Sequence, residues 1–124
     1  MIAEILAVGT ELLLGDIVNT NAQFISQELA KIGVTVYTHT AVGDNPGRLR
    51  KAYEQAFARA DLVIATGGLG PTEDDITKEI AAEYFNVPLA LHEPSWVAIQ
   101  NIFLSFVKNS AASPQITPNN KNIF

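Results

Sequence analysis

Three short strand-like runs alternate with segments of helical period, and this alternation constrains the fold more than any other feature of the chain. Residues 3–8 are mostly apolar and stop at Gly9, as a strand buried on both faces does. Residues 34–42 are dense in β-branched side chains, and residues 61–66 form a third run. Between the first two, Ile25, Leu29 and Ile32 recur at helical spacing until Gly33. Between the second and third, Leu49, Ala52, Tyr53, Ala56, Phe57 and Ala60 give an apolar stripe, and Pro46 suits the first turn of that helix. Strand–helix repeats of this kind imply right-handed crossovers and a parallel sheet covered on both faces. The expected class is therefore α/β, three layers α/β/α with a mainly parallel sheet, its first strands in the order 2-1-3.

The first helix is expected to be capped by Thr20 or Asn21. A further helix is expected to open near Asp74 and Asp75, with Ile76, Ile80 and Tyr84 on one stripe and its end at Asn86 and Pro88. Residues 87–91 read as a short extended piece, and residues 93–107 as a last helix with Trp96, Ile99, Ile102 and Phe103 inward. Residues 110–124 turn polar and rich in Pro, Asn and Ser, which is loop composition. The reading is one α/β domain over residues 1–109 and a loop-like tail over 110–124.

A chain of 124 residues, 48% hydrophobic, is large enough for one core without covalent staples. It has no cysteine, so a disulfide framework, a thiolate zinc site and a thiol nucleophile are all excluded. The net charge of −5, with Arg48, Arg50 and Lys51 as the only small basic cluster, argues against a nucleic-acid partner. Glu4 comes too early for a secretory signal, and no apolar run reaches membrane-span length. A cytoplasmic location is expected.

In a 2-1-3 sheet a crevice opens beyond the carboxyl ends of strands one and three. Two unusual turns fall there: Gly9-Thr10-Glu11 after the first strand, and the loop from Thr66 through Gly67, Gly68, Leu69, Gly70, Pro71 and Thr72 to Asp75 after the third. Three glycines in four positions allow positive φ and close approach, and the helix start beyond offers N–H groups to a phosphate. The loop is neither a Walker loop nor a dinucleotide fingerprint, and the plainer reading is a tight turn. Glu73, Asp74 and Asp75 beside a phosphate call for an intervening cation, with helix capping as the plainer reading; Asp75 is the favoured candidate. His39 and His92 belong to no ligand-spaced pair, Trp96 reads as core, and no Ser-His-Asp arrangement is visible.

Residues 9–16 with Asn19-Thr20-Asn21, together with residues 66–77, resemble the amino-terminal domain of the CinA family, within the molybdopterin-binding superfamily that includes MoaB, MogA and the gephyrin G domain. The similarity runs to about Lys121. It implies a molybdopterin-binding-like fold and, for the CinA branch, metal-dependent hydrolysis of ADP-ribose to AMP and ribose 5-phosphate. Carried over by position, Asp75 matches the superfamily's functional aspartate and Asp44 a second acidic position, both as catalytic and metal-holding residues for magnesium or a similar divalent ion. Thr10, Glu11, Asn19, Thr20 and Asn21 become ligand-pocket residues by the same resemblance, along with Gly67, Gly68, Gly70, Pro71, Thr72 and Thr77. The expected ligand is a nucleotide or pterin phosphate, with no membrane partner and with self-association. The domain of the family continues past the point where this sequence stops, so a chain truncated at its C-terminus, with catalysis of its own in question, is the expectation. A pterin-phosphate adenylyltransferase and a non-catalytic binding module are the alternatives.

Overall fold

The computed structural model describes residues 1–109; the loop-like tail expected over 110–124 and the end of the resemblance near Lys121 lie outside the described residues. The order is β1 (Ile2–Val8), α1 (Thr10–Leu14), α2 (Thr20–Lys31), β2 (Thr35–Val42), α3 (Pro46–Arg59), β3 (Leu62–Thr66), α4 (Thr77–Tyr84) and α5 (Glu93–Asn109). The strands pair in parallel in the order β2-β1-β3, as the alternation predicts. β1 is the centre of the sheet, and its residues from Ala3 to Val8 are all buried.

Alternate residues of β1 serve opposite faces. Leu6 and Val8 join Val42, Leu49, Ala52, Tyr53 and Ile80 in a core cluster, with Phe57, Val63, Ala65 and Tyr84 packed against it. α3 and α4 thus cover that face. Tyr84 stacks between Tyr53 and Phe57, with ring centroids 6.0 and 5.8 Å away. α2 takes the other face: Ser26 on α2 bonds His39, whereas the next residue of β2, Thr40, points to Arg59 on α3. The layers are α/β/α.

One polar group is buried inside the sheet. Glu4, 1% exposed, accepts from Arg59 Nε and Nη2 at 2.7 Å each and from Thr40 Oγ1 at 2.6 Å. The Arg59 hydrogen bond is the main reason its carboxyl is held below the ordinary value; burial opposes this, and Thr40 and the Arg59 charge add to it.

Local differences from the sequence reading have local causes. Asn19, rather than Thr20 or Asn21, caps α2, its side chain accepting from the Ala22 N–H at 3.2 Å. Asn45 caps α3 with Pro46 at the first position. α1, a single turn closed by Gly15 at φ 77°, is too short for periodicity to show. α4 opens at Thr77 rather than near Asp74, with no side-chain cap from its flanking Ile76. On α5, Trp96 is buried but Ile102 is 54% exposed, against the inward position its spacing suggests.

The chain divides into two compact units. Met1–Leu69 with Glu73–Pro88 form the first, and Gly70–Thr72 with residues 89–109 belong to the second. Among the described residues no helix is long and apolar enough to cross a membrane.

Candidate functional site

The parallel sheet sends β1, β2 and β3 out at one end, where the chain must turn three times in a small space. After β1, the Gly9 N–H donates to the Val42 carbonyl at 2.9 Å, which fixes the turn against the end of β2. Thr10 and Asp44 then clasp each other. Asp44 Oδ2 accepts from the Thr10 N–H at 3.2 Å and from Thr10 Oγ1 at 3.1 Å, while the Asp44 N–H donates to Thr10 Oγ1 at 3.2 Å. This clasp anchors the first turn of α1, so Glu11, the next residue, leaves from a fixed point.

After β3 the main chain folds back hard against its neighbours. Gly67 and Gly68 have φ of 84° and 62°, in the left-handed region that favours glycine. A Cβ on Gly67 would overlap the Val8 carbonyl oxygen, and one on Gly68 would overlap Thr77 Oγ1. Thr77, 3% exposed, holds this turn from the start of α4: its Oγ1 donates to the Gly67 carbonyl at 2.7 Å and its N–H to the Gly68 carbonyl at 3.1 Å. Tyr53 supports it from below, donating to the Thr77 carbonyl at 3.4 Å; burial pushes the Tyr53 phenol up, so it stays protonated.

Between these two turns lies a cavity of about 120 Å³. Glu11, Asn19, Thr20, Asn21, Thr66 and Gly67 supply its polar lining. Val8, Leu12, Ile17 and Val18 supply its apolar lining. Five residues expected at the site, Glu11, Asn19, Thr20, Asn21 and Gly67, therefore meet in one pocket. Thr10, Asp44, Gly68 and Thr77 stand behind it as its framework. Asp75 is half-buried two residues before α4, and Gly70, Pro71 and Thr72 fall in the second compact unit. The sequence reading passed over Ile17 and Val18, though both stand out as apolar residues between two polar motifs; they are 53% and 80% exposed.

Among the described residues no group of three His, Asp or Glu side chains could hold a metal ion. The donor set thus does not form a cage made of protein alone. His39 and His92 make local contacts, with Ser26 and Ser95.

Over residues 4–117 the sequence matches the family described as "Probable molybdopterin binding domain". The chain belongs to that family. Within it the chain is CinA-like: it is 66% identical over 103 residues to the CinA-like protein of Dictyoglomus turgidum, a match that covers 83% of this chain and 25% of that protein. The structure of CinA from Thermoplasma acidophilum superposes with a TM-score of 0.74 at 33% identity, over 98% of this chain and 66% of that one. MoaB from Thermus thermophilus, a molybdopterin biosynthesis enzyme, gives 0.61 at 28% identity over 66% of this chain and 53% of its own. The chain spans about a quarter of the length of its curated relative.

Proposed function

We propose that this domain binds a phosphate-bearing nucleotide or pterin compound at the carboxyl ends of β1 and β3, and that with ADP-ribose as ligand it supports hydrolysis to AMP and ribose 5-phosphate. What carries the reading is that the two motifs, 58 residues apart from Thr10 to Gly68, close on one cavity whose wall includes the Gly67 main chain. In the proposed reaction water adds to one phosphorus of the pyrophosphate and the bridging P–O bond breaks. Each product keeps one phosphate.

Left-handed glycines bring main chain close to a ligand, and α4 begins just beyond with its positive end toward the loop. Asp75 is the carboxylate proposed to face the phosphates. Because the described residues assemble no three-ligand group, a divalent cation enters this proposal with the ligand's phosphates, held by one carboxylate of the chain. Asp44, whose Oδ2 is committed to Thr10, is proposed to position α1.

Products formed from ADP-ribose with magnesium, and from molybdopterin with ATP, separate hydrolase from adenylyltransferase; binding without product from either supports the module. Asp75→Asn is expected to leave folding intact and to weaken magnesium-dependent ADP-ribose binding by about tenfold, roughly 1.4 kcal/mol. Equal affinities by calorimetry would remove Asp75 from the site. Self-association is proposed through β3, paired only with β1 among the described residues, and light scattering measures it directly.

A further inference from the structure

The chemistry of the 120 Å³ pocket differs from that of the turn beside it. Its polar lining is one carboxylate, Glu11, two carboxamides, Asn19 and Asn21, and two hydroxyls, Thr20 and Thr66; no lysine, arginine or histidine is among the described lining residues. A phosphate seated there without a metal ion would meet the Glu11 charge with no cationic side chain among the described lining residues to offset it. The ligand's charged part therefore belongs elsewhere.

Among the described residues that line the pocket there is also no aromatic ring. Its apolar lining is aliphatic, whereas proteins commonly stack single-stranded bases on aromatic or guanidinium planes. The volume equals that of about four liquid waters at roughly 30 Å³ each, room for one small ring. A lining that mixes a carboxylate, amides and hydroxyls suits groups that both donate and accept, as hydroxyls do. A carboxylate can accept from two adjacent hydroxyls at once, the way an acidic residue reads a ribose in dinucleotide sites.

We infer that the pocket receives the sugar of the ligand and that Glu11 is the residue that selects for a vicinal diol. This rests on the reading that the ligand is a phosphate compound, and it adds which part of that compound the pocket reads. The clasp of Thr10 by Asp44 serves the same end, because it fixes the residue before Glu11 at three hydrogen bonds.

The probes are AMP, 2′-deoxy-AMP and inorganic pyrophosphate, titrated calorimetrically into the 124-residue chain and its Glu11→Gln variant. The wild type should prefer AMP over 2′-deoxy-AMP by about tenfold, the effect of one hydrogen bond to a charged group. Glu11→Gln should bring the two close to parity without moving the thermal midpoint. Equal binding of AMP and 2′-deoxy-AMP by the wild type, no binding of either, or a preference that survives Glu11→Gln would each overturn the inference. Pyrophosphate tests the phosphate reading separately: if it fails to bind while the diol preference holds, the reading of the glycine turn falls and the role of Glu11 stands.

Discussion

In the amino-terminal half of β1 the order lies in side chains, whereas at its carboxyl end it lies in the main chain. Glu4 is sealed in the sheet and bound by Arg59 and Thr40, residues 55 and 36 positions away. Seven residues later Glu11 stands exposed at a pocket, and what is fixed around it is backbone: the Gly9 N–H on Val42, Thr10 in the Asp44 clasp, and the Gly67 and Gly68 carbonyls on Thr77. A buried carboxylate must be paired because desolvation is costly, whereas one at a pocket mouth stays hydrated until a ligand replaces the water. The first arrangement holds the sheet together. The second leaves side chains able to bind.

Three substitutions would break or sharpen this contrast. Gly67→Ala should have the largest effect, since the new methyl would collide with main chain at a φ of 84°; strain and overpacking together predict a loss of about 3 kcal/mol or more in urea unfolding. Little change would mean that the turn yields, and that the main chain there is not fixed.

Glu4→Gln should come second, at about 1–3 kcal/mol at neutral pH, by weakening hydrogen bonds to a charged group in a buried place. It has a pH signature. The folded-state pKa of Glu4 is lowered, so its contribution is fully present above the ordinary carboxylate value of 4.5 and is lost as pH falls from there through the lowered value. The difference in stability between wild type and Glu4→Gln should shrink over that acidic window; a constant difference would show that the charge is not what matters.

Glu11→Gln should have the smallest effect on stability, within about 0.5 kcal/mol, because an exposed carboxylate outside the core carries little of the fold. A larger loss by thermal denaturation would place Glu11 in the framework with Asp44 and take away the contrast between the two glutamates.

The sheet order was legible because each strand and helix announces itself through its own period, and α/β connection rules do the rest. The pocket was legible through two motifs, which lie at the ends of strands that pair side by side. The roles within it were less so. Asp44 is a catalytic and metal-holding candidate by resemblance, and in the structure its Oδ2 accepts from Thr10, 34 residues before it. Thr77 reads as one more polar residue of the glycine motif, and it is buried, holding the turn. Asp74 and Asp75 resemble helix caps by position, but α4 starts later because Thr77 is pulled onto the Gly67 and Gly68 carbonyls. Ile102 follows the inward spacing of α5 and is exposed, since spacing names a stripe and cannot say how wide its cover is.

The sequence by itself determined the alternation of strands and helices, the absence of thiol chemistry, the acidic charge and the location of the two glycine-containing turns at the strand ends. These follow from properties of neighbouring residues, which any local stretch carries with it. Only the tertiary structure decided which carboxylates are bound within the chain and which line the pocket: Glu4 by Arg59, Asp44 by Thr10, and Glu11 at the pocket. Each of those outcomes depends on groups brought within about 3 Å from tens of residues away, a geometry that exists only once the parallel strands have set the turns beside one another.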